Sequence, residues 1–161
     1  MFETFRGIPL HPLLVHAVVV LLPLLVAAGL GYALIPRLRS RLDLAAGLLA
    51  VVAPVSTFLT RQSGLALRNR LISRGTLSAD YVPLVNAHLG FANRTLIVSI
   101  VLGVLVLLLL GYQLRARRSG GSTGGLLWWI LVGLTVVAGA VSLYYVYRTG
   151  DSGAHMVWQG R

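Results

Sequence analysis

Four long stretches without a charged side chain, Gly7 to Pro36, Leu44 to Thr60, Thr95 to Leu114 and Ser119 to Tyr147, leave this chain few ways to fold. A helix crosses the roughly 30 Å hydrocarbon core of a bilayer with about 17 to 25 apolar residues, because it rises about 1.5 Å per residue. The second stretch, 17 residues between Asp43 and Arg61, sits at the lower limit. It still spans if Arg61 extends its guanidinium toward the headgroups. Since lipid offers the backbone no hydrogen-bond partner, each stretch is expected to be helical. The expected fold is an all-α membrane protein: one domain over residues 1–161, four transmembrane helices in an up-down bundle, both termini on the same side.

Local signals set the boundaries. Pro12, tolerated in a first turn, opens a helix over about residues 12–35, and Pro36 ends it. A second helix covers about 42–60 and continues as an interfacial segment to about 74, where Leu67 and Leu71 share one face while Arg68, Arg70 and Arg74 reach water or lipid phosphate. Residues 75–82 read as loop, and Pro83 marks the start of a third helix over about 83–114. The glycine-rich run from Ser119 to Gly125 is a flexible turn into a fourth helix, about 126–147, leaving 148–161 as a polar tail. The near-neutral flank Met1 to Arg6 and the length of the first apolar run point to a retained span rather than a cleaved signal peptide. Gly47, Gly103, Gly133 and Gly139 are expected to admit close helix approach. Tyr144, Tyr145, Tyr147 and Trp158 read as one interfacial aromatic belt, Trp128 and Trp129 as the other.

The 14 basic residues are all arginine, and against four acids they leave a formal charge of +10. They lie in membrane-flanking segments rather than on one soluble face, which argues for orientation and against nucleic acid. Six arginines crowd the short first and third connections, and short basic loops stay cytoplasmic. Both termini are therefore expected outside, in a bacterial inner membrane. The absence of cysteine excludes disulfides, thiolate metal sites and covalent c-type haem attachment. No H-E-x-x-H, Walker loop, G-x-S-x-G or paired-carboxylate constellation is present, so the sequence points to an electron carrier or accessory subunit before an enzyme.

Four crossings bring all four histidines to one side. His16 follows Pro12 by four residues and His88 follows Pro83 by five, so both sit about one turn inside their helices. Two imidazoles at equal depth on different helices are what axial ligation of a b-type haem requires. Arg61 and Arg94 are candidates for pairing with the haem propionates, against the plainer reading that both snorkel to the interface. His11 precedes a proline and lies about 140° around the axis from His16, so the two are not expected to serve one centre; an interfacial role suits it better. His155 reads as solvated or lid-like in the tail. Both are weaker candidates for metal.

The opening Gly7-Ile8-Pro9-Leu10-His11-Pro12-Leu13-Leu14-Val15-His16 resembles that of a prokaryotic membrane family, the domain of unknown function 2231, and Tyr147-Arg148-Thr149-Gly150-Asp151-Ser152-Gly153-Ala154 is similar to its carboxy-terminal pattern. The resemblance covers essentially the whole chain and implies four membrane helices with no settled activity. Many relatives carry histidine where this chain has Asp151. Fusions of the family to Rieske-type or cytochrome-type modules imply electron transfer at the outer face.

Three readings follow in order of preference. The first is a small haem b protein passing electrons near the outer membrane face, with His16 and His88 on the iron and a Rieske-type or cytochrome partner. The second is a non-catalytic accessory subunit of a larger membrane complex, its histidines structural. The third is an outer-face copper or zinc site, since imidazole suits both metals.

Overall fold

The structure is a computed structural model and describes residues 4–5, 8–121 and 124–158. The expectations for Met1 to Glu3, Arg6, Gly7, Ser122, Thr123 and Gln159 to Arg161 lie outside the described residues. Thr4–Phe5 pairs antiparallel with Ile8–Pro9 ahead of four helices: α1 (Leu10–Leu34), α2 (Arg39–Ser73), α3 (Tyr81–Arg118) and α4 (Leu126–Trp158). One 3-10 turn, Pro36–Leu38, links α1 to α2. All four helices are long and apolar enough to cross a membrane.

The bundle is square in section. α1 packs along α2 and α4, α3 packs along the same two, and α1 meets α3 only across the diagonal. The core is Leu22, Leu25, Tyr32, Leu102, Val106 and Leu109, closed by the small residues Ala46, Ala50 and Ala53 of α2. Val20, Ile97, Val104 and Val137 point outward and are half exposed or more. An apolar exterior around a core that also buries Thr57, Thr95, Ser99, Thr135 and Ser142 is the pattern of helices solvated by lipid.

Close approach is decided at a few glycines. A Cβ on Gly103 would stand 2.4 Å from the Ala50 carbonyl oxygen and 3.1 Å from Pro54 Cγ. Pro54, four residues after Ala50, has no N–H to give that carbonyl, and α2 turns this oxygen toward the bare Cα of Gly103 on α3. Gly139 lies against Val26 and Gly47 against Leu110, as expected of small interface residues. Gly133 does not: nothing lies within 4 Å of the position its Cβ would take.

α2 runs without a break to Ser73, in line with a second helix that continues to about residue 74. Two features differ from the sequence reading. α4 continues to Trp158 where a tail was expected from Arg148. Gly150 and Gly153 weaken a helix, but here Thr149 Oγ1 donates to the Tyr145 carbonyl at 2.7 Å, Ser152 Oγ donates to that of Thr149 at 3.0 Å, and α3 packs against the segment. The second difference is at the arginine-rich end. Arg39, expected in a loop, is 9% exposed: its Nε donates to the Tyr32 carbonyl at 3.1 Å, its Nη2 to that of Ala33 at 3.3 Å and its Nη1 to Gln113 Oε1 at 3.4 Å. Its guanidinium also lies 4.3 Å from the centre of the Trp128 ring, which buries Trp128 while Trp129 remains in the exposed belt. Beside it, Asp43 accepts from the Tyr32 hydroxyl at 3.0 Å and from Arg117 at 2.5 Å.

Candidate imidazole pair at one end of the bundle

The up-down connectivity brings the start of α1, the end of α2, the start of α3 and the end of α4 to the end opposite Arg39. Buried polar atoms gather there. Thr60 Oγ1 bonds the carbonyls of Ser56 and Leu14, which ties α2 to α1. Thr95 Oγ1 and Thr149 Oγ1 meet at 2.7 Å, which ties α3 to α4.

Between these ties stand His11 and His88, with ring centres 6.2 Å apart and planes crossed at 85°. They come from the two diagonal helices and meet across the middle of the bundle. Each ring rests on the neighbouring helix in sequence. His11 Nδ1 is 3.0 Å from the Thr60 carbonyl oxygen and 3.2 Å from Ser63 Oγ, and a Cβ on Gly64 would come within 3.0 Å of its Cε1. His88 Nδ1 is 2.9 Å from Ser152 Oγ, and a Cβ on Gly153 would come within 3.3 Å of its Cε1.

These bonds decide the protonation of the rings. Ser63 Oγ gives its hydrogen to the Thr60 carbonyl at 2.7 Å, and Ser152 Oγ gives its own to the Thr149 carbonyl at 3.0 Å. Each hydroxyl can then only accept from the imidazole, and the Thr60 carbonyl accepts in any case. Both rings therefore carry hydrogen on Nδ1 and keep the Nε2 lone pair. Ligating histidines show the same arrangement, the far nitrogen tied to a carbonyl or hydroxyl so that ring and tautomer are set.

The other sequence candidates stand apart from this pair. His16 is exposed, its Nδ1 turned back to the Pro12 carbonyl of its own helix at 2.7 Å. The structure thus brings His11, not His16, to His88. The reason is the rotation of about 140° between positions five residues apart: a helix that turns His11 inward turns His16 out. His155 is exposed and bonds the Asp151 carbonyl at 2.9 Å. Arg61 is held by Asn93 Oδ1 at 2.5 Å and Gln62 Oε1 at 3.2 Å, and Arg94 is exposed, 6.0 Å from the Phe91 ring centre. Two other arginines are less satisfied: the Nε atoms of Arg68 and Arg148 are buried with no hydrogen-bond partner among the described residues, and Arg148 lies 4.9 Å from the centre of the same Phe91 ring. Among the described residues no group of three or more histidine, cysteine or acidic side chains is arranged to hold a metal ion.

Over residues 7–161 the sequence matches the family described as "Predicted membrane protein (DUF2231)". The chain belongs to that family. No curated protein and no solved structure matches it. For this DUF2231 protein the match supports a membrane location and leaves the activity to be argued from the site.

Sequence reasoning did not single out Ser63, Gly64, Ser152 and Gly153. A signal for them exists: Thr60-Arg61-Gln62-Ser63-Gly64 and Thr149-Gly150-Asp151-Ser152-Gly153 share the pattern Thr-x-x-Ser-Gly. A helical turn with that pattern offers a hydroxyl and a bare Cα on one face, which is what a flat ring needs to lie against it.

Proposed function

We propose that this DUF2231 protein is a small membrane electron carrier that holds haem b between His11 and His88. The observation that carries the reading is the separation of the two rings. An imidazole nitrogen binds a first-row metal at about 2.0 Å and the ring centre lies about 1.1 Å behind it, so two imidazoles on opposite sides of one metal have centres roughly 6.2 Å apart. The observed 6.2 Å matches. The donor set agrees with haem over a bare ion. Copper(II) or zinc needs further protein ligands that the described residues do not assemble around the pair. Haem brings four of its own nitrogens and asks the protein for two.

His11 and His88 would hold the iron through Nε2, and Arg68 and Arg148, whose Nε atoms lack partners among the described residues, are better suited to take propionates than the engaged Arg61 or the exposed Arg94. When bound, haem supplies a reversible one-electron change at its iron. The protein's part is to orient both rings and to surround them with helix. Dense arginine in the short connections supports an outward-facing histidine end, in a bacterial inner membrane, where a Rieske-type or cytochrome partner would exchange electrons with it.

The test is the oxidised and dithionite-reduced spectrum of detergent-solubilised protein from haem-replete cells. A sharp low-spin reduced band is expected. It disappears in His11→Ala and in His88→Ala and persists in His16→Ala. A colourless wild-type protein, or a band lost in His16→Ala and kept in His11→Ala, overturns the reading. Colourless protein that co-purifies with a stoichiometric membrane complex would instead mark an accessory subunit.

A further inference from the structure

The two halves of the chain repeat one another. At the 77-residue spacing that separates His11 from His88, all seven buried positions of α3 fall on buried positions of α1; Ser99 answers Leu22, Leu102 answers Leu25, Val106 answers Gly29 and Leu109 answers Tyr32. At the 89-residue spacing that separates the two Thr-x-x-Ser-Gly segments, buried Thr135, Gly139 and Ser142 of α4 answer Ala46, Ala50 and Ala53 of α2.

Contacts repeat as well as burial. Gly103 of α3 lies on Ala50 of α2, and the corresponding pair, Val26 of α1 and Gly139 of α4, is also in contact. Positions that answer one another touch across the diagonal: Gly29 meets Val106, and His11 meets His88. Contact between equivalent positions marks a two-fold axis. Here it runs along the bundle, as in membrane proteins built from parallel repeats. The imidazole pair sits on that axis.

We propose that the pair is a two-fold site, in which Ser63 with Gly64 and Ser152 with Gly153 are positioning residues that seat one ring each and present two equivalent Nε2 donors to a single metal centre. The hydroxyl sets the tautomer and the missing Cβ lets the ring lie flat on the helix. The metal's identity rests on the haem reading; the seating of the rings does not. The two seats are alike: His11 has the Thr60 carbonyl as well as Ser63, and His88 has the Thr149 carbonyl as well as Ser152.

The experiment is ring-nitrogen NMR on metal-free, histidine-labelled protein in detergent at a pH where imidazole is neutral, with signals assigned through single histidine variants. His11 and His88 are expected as Nδ1–H tautomers. Ser152→Ala should shift His88 Nδ1 and leave His11 unchanged, and Ser63→Ala should shift His11 Nδ1 and leave His88 unchanged. Gly153→Ala should shift both nitrogens of His88. Finding either ring of the folded wild-type protein as the Nε2–H tautomer overturns the proposal, as does a Ser152→Ala variant with His88 unmoved. Correct tautomers in a protein that never binds haem would remove the haem reading and keep the seats. A haem band together with an Nε2–H ring in the metal-free protein would do the reverse.

Discussion

Gly103→Val is expected to lower the melting temperature of the detergent-solubilised bundle by about 10 °C or more, corresponding to roughly 3 kcal/mol. The position has no room: even the first added carbon would stand 2.4 Å from the Ala50 carbonyl oxygen, a backbone atom that cannot swing aside. α2 and α3 would have to separate along a line where Ala50 and Ala53 make the core thin. Gly103→Ala should show part of the same loss. The control lies on the same helix, where Gly111 has nothing within 4 Å of an added Cβ. Gly111→Ala should be neutral or stabilise by about 0.5 to 1 kcal/mol, through helix propensity. A melting temperature for Gly103→Val within about 2 °C of wild type would mean that α2 and α3 are not in close contact at this position.

Arg39→Ala should cost a similar amount at the other end. The last carbonyls of a helix have no partner within it, and Arg39 donates to two near the end of α1, those of Tyr32 and Ala33. It also bonds Gln113 of α3 and covers Trp128 of α4, so one side chain closes this end of all four helices. Hydrogen bonds from a charged group contribute about 1.5 to 3 kcal/mol each and an orphaned buried acceptor costs about 1 to 3, so a net loss of roughly 3 kcal/mol is expected. Arg39→Lys should recover little of it, because a single ammonium cannot reproduce the planar fork. Arg37→Ala and Arg41→Ala remove exposed cations and should stay within about 0.5 kcal/mol of wild type by thermal melting. Equal melting of all three alanine variants would reduce Arg39 to one more orienting charge.

The candidate site was legible in part. That histidines would gather at one end followed from counting crossings, and the choice of the first and third helices followed from where His11, His16 and His88 fall. Which histidine of α1 would face His88 was not legible. Depth favoured His16, and Pro12 argued against helical geometry at His11, yet α1 begins at Leu10 and carries His11 into the interior. The rotation of α1 about its own axis is set by Gly29 against Val106 and by Leu14 against Thr60, contacts between residues remote in sequence. Likewise, the glycines at 150 and 153 read as tail because helix propensity is a local quantity, whereas α3 packing on that segment is not.

The sequence by itself determined the four spans, their up-down order and the shared side of the histidines, because hydrophobic length against bilayer thickness is a property of each segment alone. The tertiary structure decided the facing of each helix, and with it the pairing of His11 with His88, the burial of Arg39 and the outward turn of His16. Lipid solvates any apolar face equally well, so facing in such a bundle comes from steric fit and buried hydrogen bonds between helices, and those exist only once the helices have met.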